Sequence, residues 1–319
     1  MEEKQKSNWL HIVMGPVIFF IVLMLPVFGP DRARIGFGIL FWMVYWWVTV
    51  AVDIKLTCLV PLVVVAFYPF EPVQKVMAMY IHKHAFLIFG ASMVTAAWAR
   101  WGFAKRMALR FLLLFGNEVR TQTVAWFLLC GVVSFVMGNT PVGAVFAPIA
   151  ASALLYAGYE TFQQRYDSRA ASNILIAVAW GASIGGMVTP LGGGQAVVTL
   201  GFLEKYIGHE VYFIDWSLRM LPISILVMAV MSLFMYFVMK PEVATFKGSK
   251  DFYQKELEEM GSMKFEEKVI FYAFVLIVLL ALFRPMYVPF VKGPYFKWLH
   301  PSPLFFILAA VLFFIPSKS

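Results

Sequence analysis

Two interruptions inside apolar sequence, both between Thr121 and Leu200, constrain this chain more than any other feature. An apolar arm runs from Thr123 to Met137, gives way to Gly138-Asn139-Thr140-Pro141, and resumes as far as Tyr156. A spanning helix needs about 20 residues, so two arms of roughly fifteen joined by a polar tetrapeptide predict a re-entrant hairpin with its tip near mid-membrane. The second interruption follows the apolar stretch Ile174 to Ile184. The run Gly185-Gly186-Met187-Val188-Thr189-Pro190-Leu191-Gly192-Gly193-Gly194-Gln195 is too rich in glycine and proline to hold a regular helix. Apolar residues then resume, which predicts a broken helix. Irregular backbone at membrane depth survives only where it is buried in protein or lines a cavity, and its freed amides and carbonyls can coordinate ions or carboxylates. A binding site is therefore expected between the tip at Asn139 and the loop at Gly192.

Composition agrees with a membrane setting. The 319 residues are 61% hydrophobic and 14% charged, with a mean hydropathy of +0.78, which excludes an ordinary soluble domain and predicts an all-α polytopic membrane protein. The net charge of +8 resides in short loops between apolar segments, where topology explains it better than a nucleic-acid partner does. Cys58 and Cys130 both lie inside apolar segments and form no disulfide framework or metal spacing. The first apolar stretch, Trp9 to Phe28, is too long for a signal-peptide core and lacks a clear small-residue cleavage site.

Apolar segments fall near residues 9–28, 35–52, 56–70, 84–101, 122–156, 172–203, 217–239, 268–283 and 302–316. They divide the chain into N-terminal scaffold helices (1–83), a helix followed by an amphipathic segment (84–121), a core of hairpin and broken helix (122–203), a connecting helix with a linker (204–267), and the start of a further set of scaffold helices (268–319). Arg100, Lys105, Arg106, Arg110 and Arg120 crowd one short connection against Glu118 alone, which predicts that this loop and the N-terminus are cytoplasmic. Arg284, Lys292 and Lys297 fall outside on the same count.

Several features carry bland readings. Gly102 to Phe115 reads as an interfacial amphipathic helix or as an extension of the helix before it. Lys250 to Met263 sets Tyr253, Leu257 and Met260 at helical spacing among charges and predicts a short surface connector. The cluster Trp42, Tyr45, Trp46 and Trp47 is expected to pack or to sit at the interface, and the eighteen methionines to fill core and face lipid. His11, His82, His84, His209 and His300 lie near span ends, where solvated positions are the default. Asp53 is the lone acid within an apolar stretch, two residues before Lys55 near a helix end. That position and the absence of a His-Glu-x-x-His motif argue against an intramembrane enzyme.

Ser134-Phe135-Val136-Met137-Gly138-Asn139-Thr140 resembles the hairpin signature Ser-x-x-x-Ser-Asn-Thr of the divalent anion/sodium symporter family, with Gly138 in place of a serine. Ile184-Gly185-Gly186-Met187-Val188-Thr189-Pro190-Leu191-Gly192 is similar to the family's broken-helix sequence, then departs to Gly193-Gly194-Gln195-Ala196 where the family has Thr-Pro-Pro-Asn. Trp47-Val48-Thr49 resembles the opening of a Trp-x-Thr-Glu motif, with Val50 in place of the acid. The likeness covers nearly the whole chain.

The resemblance implies two inverted repeats, each with a hairpin and a broken helix, around one dicarboxylate, citrate or sulfate and its sodium ions, carried by an elevator-like motion. This sequence holds one such set and the opening helices of a second. The other half is expected in a longer chain, in a partner polypeptide or in a second copy. By resemblance, Ser134, Gly138, Asn139 and Gly192 hold sodium, with Asn139, Thr140 and Thr189 toward the anion. Neutral dipoles and bound sodium must then balance the dianion, since the core has no arginine or lysine. The resemblance further implies a homodimer in the plasma membrane. The competing expectation is a half-carrier that binds or assembles without transporting alone.

Overall fold

The computed structural model describes residues 2–80, 83–246, 248–290 and 300–314. Their regular structure is helical, in two compact units, Met1–His82 and Lys83–Ser319.

The first unit contains α1 (Glu2–Met24), α2 (Asp31–Thr49), α3 (Ile54–Thr57), α4 (Val60–Phe67) and α5 (Val73–Tyr80). Pro16 lies inside α1 and removes the amide that would pair with the Ile12 carbonyl. Trp46 supplies the donor instead, its Nε1 lying 3.2 Å from both the His11 and the Ile12 carbonyl oxygens. Gly15 makes room for this, because a side chain there would collide with the Trp42 and Trp46 rings. Trp42 packs with Phe19, Ile35, Val60 and Val64 in a small core. Both indoles thus belong to helix packing, as their position in apolar sequence suggests. His11 departs from the solvated default, with Nδ1 2.8 Å from the Tyr45 hydroxyl. Asp53 caps α3, accepting from the Lys55 amide at 2.8 Å. The span expected over 56–70 is interrupted between Thr57 and Val60, which leaves two short helices.

The second unit runs through α6 (Lys83–Arg100), α7 (Phe103–Leu112), α8 (Val119–Ser134), α9 (Asn139–Tyr156), α10 (Phe162–Asp167), α11 (Arg169–Gly185), α12 (Gly194–Ile207), α13 (Phe213–Phe237), α14 (Ser249–Glu259), α15 (Phe265–Leu282), α16 (Arg284–Tyr287) and α17 (Pro301–Phe314). Among the described residues, α9 and α13 are long and apolar enough to cross a bilayer, and α15 with the segment to Phe290 makes a third candidate bent by 61°. The second hairpin arm is therefore longer than expected, at 18 residues.

Gly102, with φ +80°, separates α6 from α7, so α7 does not extend the preceding helix. Nor does its apolar face look only outward, for Ala104, Ala108, Leu109 and Leu112 are fully buried in the core of the unit. Arg106, expected among the solvated charges, is 2% exposed. Its Nε and Nη2 donate to Glu267 at 2.7 and 3.0 Å, and its Nη1 donates to the Gly261 carbonyl at 2.6 Å. A guanidinium tolerates burial when its fork meets a carboxylate and leftover carbonyls in this way. Lys105 pairs with Glu256 on α14. The connector helix α14 buries Tyr253, whose hydroxyl donates to Gln122 Oε1 at 3.1 Å. Arg284, one of three cations assigned outside, is neutralised by Glu210. Lys292 and Lys297, like His82, lie outside the described residues.

Candidate functional site

The site begins with two helices that touch through backbone. Side chains on Gly181 or Gly185 of α11 would collide with the carbonyls of Phe127 and Gly131 on α8. Small residues at this spacing let the helices approach closely. The ends of the two helices consequently meet. Ser134, the last residue of α8, is fully buried, and its hydroxyl donates to the Ala182 carbonyl at 2.7 Å.

Both chains break at this meeting point. The hairpin turns through Phe135 to Gly138 before α9 starts at Asn139, and the broken helix leaves helical geometry between Gly186 and Gly193. The two breaks are joined. The Asn139 amide donates to the Gly192 carbonyl at 2.8 Å, and the Thr189 hydroxyl donates to the Phe135 carbonyl. Gly192 has no room for a side chain, since a Cβ there would collide with the Ser134 carbonyl and lie 2.7 Å from Gly186 Cα and its carbonyl oxygen. The carbonyl oxygens of Ser134, Gly186 and Gly192 therefore crowd one small volume. Those of Ser134 and Gly186 accept none of the backbone bonds formed by the described turns and caps. Hard cations favour clustered oxygen donors of this kind.

Beside this cluster lies a cavity of about 410 Å³. The hairpin contributes Gly138, Asn139, Thr140 and Pro141, the loop Leu191, Gly193 and Gly194, and α6 contributes Ile88, Ala91 and Ser92. No charged side chain is among these lining residues. Helices α9 and α12 both begin at its wall, and neither start carries a side-chain cap. The aligned dipoles of both starts and the uncapped amides of α12 favour negative charge, whereas the first-turn amides of α9 are taken by the Gly192 carbonyl and by Asn139 Oδ1. Asn139 Oδ1 accepts from the Thr140 amide at 2.8 Å, and the Thr140 hydroxyl lies 3.4 Å from the same oxygen.

Of the residues singled out in the sequence, Ser134, Gly138, Asn139, Thr140 and Gly192 come together. Thr189 is in the same loop but faces away from the cavity. It is 7% exposed, and its hydroxyl also accepts from the Leu191 amide at 3.2 Å. Gly186 and Ser92 were not singled out. The signal for Gly186 is its place in the same glycine-rich run, whereas Ser92 carries no motif and reaches the cavity because α6 packs beside α9 and α12.

Paired chain breaks beside an uncharged, carbonyl-rich cavity are the means by which carrier-type membrane proteins build their binding sites. Residues 6–292 match the sodium:sulfate symporter transmembrane region, and the chain belongs to that family. Relatives include the sodium-dependent dicarboxylate transporters SdcS of Staphylococcus saprophyticus, 25% identical over 316 residues, and of Staphylococcus aureus strain NCTC 8325, 24% identical over 320 residues. Both comparisons take in 97% of this chain and 60% of the relative, so the chain spans about 60% of the length of these curated relatives.

Proposed function

We propose that this chain takes part in sodium-coupled transport of a divalent anion, a dicarboxylate in the first instance, with hairpin and broken helix moving together as an elevator-like unit. The observation that carries the reading is the stitch between Asn139 and Gly192, which fuses the two breaks into one body beside an uncharged cavity. Sodium sits among the oxygens of Ser134, Gly138, Asn139, Gly186 and Gly192. The anion faces Asn139, Thr140 and the starts of α9 and α12, while Thr189 supports the loop from behind. With no cationic side chain on the cavity wall, sodium supplies the positive charge. Desolvating two negative charges without it costs several kcal/mol or more, and this is the physical origin of coupling. The protein resides in the plasma membrane as a homodimer with a cytoplasmic N-terminus.

Thermal stability of the purified chain in detergent tests the reading, with sodium against potassium and with succinate, citrate or sulfate. Ligand that binds the folded state alone raises the midpoint according to RT ln(1 + [L]/Kd). A sodium-dependent, anion-specific rise that Asn139→Ala abolishes is expected. A midpoint indifferent to every ion pair would sink it.

A second reading has its own support. The chain spans about 60% of its relatives, and the resemblance implies two hairpins to one substrate. The hairpin and loop then form half of a site that a second hairpin completes, whether in the same polypeptide, in a partner or in a second copy. Under this reading sodium shifts the midpoint while anions do so only after the partner is added.

A further inference from the structure

A second cavity, of about 440 Å³, opens between α6, α15 and α17. Its wall is mostly apolar, with Met93 and Ala97 from α6, Ile270 from α15, and Ala309 and Leu312 from α17. Met93, Ala97 and Arg100 follow helical spacing on one face of α6, so a strip of small and flexible side chains ends at a cation. Trp101 lines the same end, where the chain turns at Gly102 into α7. The charged surfaces of α7 and α14 mark this end of the helices as the water-facing one, and a tryptophan at that depth belongs to the interface.

The cations nearby are not equivalent. Lys105 and Arg106 are paired with Glu256 and Glu267. Arg100 is exposed and has no carboxylate partner among the described residues. Its planar fork matches a phosphate diester bidentately. Glu266 also lines the cavity, 5% exposed in the first turn of α15, and Arg100 is the one cation among the lining residues, which matches a ligand with a single phosphate. A free phosphate would leave the apolar trough without an occupant.

We propose that this trough holds one acyl chain of a membrane phospholipid with a single phosphate, seated with that phosphate on Arg100. The lipid joins α6 to α15 and α17, and the inference stands independently of the transport reading.

The test uses the full chain, purified in detergent and stripped of lipid, followed by native mass spectrometry and thermal midpoint. Dioleoyl phosphatidylethanolamine and dioleoyl phosphatidylglycerol should each bind about tenfold more tightly than dioleoylglycerol, which lacks the phosphate. Cardiolipin should bind no better than phosphatidylglycerol, and soluble glycerol phosphate should give no shift. Arg100→Gln should erase the preference for phospholipid over dioleoylglycerol, while Ala97→Phe should weaken all three diacyl lipids by filling the trough. Should Ala97→Phe fail to fold, the exposed Arg100→Gln variant still decides the matter. Equal binding of dioleoylglycerol, an unchanged preference in Arg100→Gln, a response to glycerol phosphate alone, or tighter binding of cardiolipin would each overturn the proposal.

Discussion

The hairpin tip and the loop of the broken helix meet the same problem, a chain leaving helical geometry inside an apolar protein, and are held in different ways. The loop organises itself. Met187 and Val188 donate to the carbonyls of Ile184 and Gly185, Gly192 donates to Thr189 at 3.1 Å, and Leu191 donates to the Thr189 hydroxyl. The tip closes its own turn, with Val136 and Met137 donating to the Val133 carbonyl, but leans on the loop at both of its ends. Its Phe135 carbonyl is satisfied by Thr189, and its Asn139 amide by Gly192. One break is thus a template and the other is moulded on it. Damage to the loop should spread to the tip, whereas changes at the tip should stay local.

The largest expected effect comes from removing the contact that brings the breaks together. Gly185→Leu would force a side chain into the Gly131 backbone, which cannot shift as a flexible side chain could. Strain in a tight core costs typically 1–3 kcal/mol and more against backbone, so little folded protein is expected by size-exclusion chromatography after mild solubilisation. A Gly185→Leu protein with wild-type yield and sodium response would break the comparison.

Thr189→Val comes next. It removes the donor to Phe135 and the acceptor for Leu191, two buried partners at about 1–3 kcal/mol each. A lowered midpoint is expected, together with weaker sodium stabilisation although Thr189 does not line the cavity. A lowered midpoint with sodium affinity intact would show that the tip does not depend on the loop.

The acid edge of stability supplies a smaller and more distant control. Burial opposes ionisation of Glu210, but hydrogen bonds from His300 and Arg284, with their charges, outweigh it and lower its carboxyl to about 2. A carboxyl depressed by folding adds stability above its unfolded value, and that stability is lost as pH falls through the folded one. The wild-type midpoint should therefore fall more steeply between pH 4.5 and about 2 than that of Glu210→Gln. At neutral pH both should respond alike to sodium, because Glu210 lies between α12 and α13 and does not line the cavity.

Gly138→Ser should have the smallest effect on stability, within about ±0.5 kcal/mol. The residue has φ −57° and ψ 142°, open to any side chain, and an added Cβ would lie 3.2 Å from Pro141 Cδ and 3.9 Å from the Leu191 carbonyl. The new hydroxyl restores the oxygen of the family signature, so tighter sodium stabilisation is expected from the same thermal titration. An unchanged sodium response would remove Gly138 from the ion site.

Much of this arrangement was legible in the sequence. Glycine, asparagine and proline inside apolar runs announce both breaks, because residues so poor at sustaining a helix leave their backbone groups in need of other partners. The direction in which Thr189 points was not legible, since it depends on a partner 54 positions away in the chain. The burial of Arg106 was hidden for a similar reason. A basic residue on an amphipathic segment ordinarily faces water, and only the arrival of Glu267, 161 positions later, makes the interior tolerable. The length of α9 escaped the pattern because Asn139, Thr140 and Pro141 interrupt hydropathy without interrupting the helix, each being acceptable in a first turn.

The crowding around Gly192 bears on how such a protein can diverge. Donors that are main-chain carbonyls are encoded by no particular codon. Substitutions nearby can shift the oxygens but cannot exchange them for another chemical group. The chemistry of the oxygen cluster is therefore fixed for as long as Gly186 and Gly192 remain glycine, while the facing positions Ser92, Thr140 and Gly194 are open to change. Related chains with unlike appetites should differ at the cavity wall and agree at its floor.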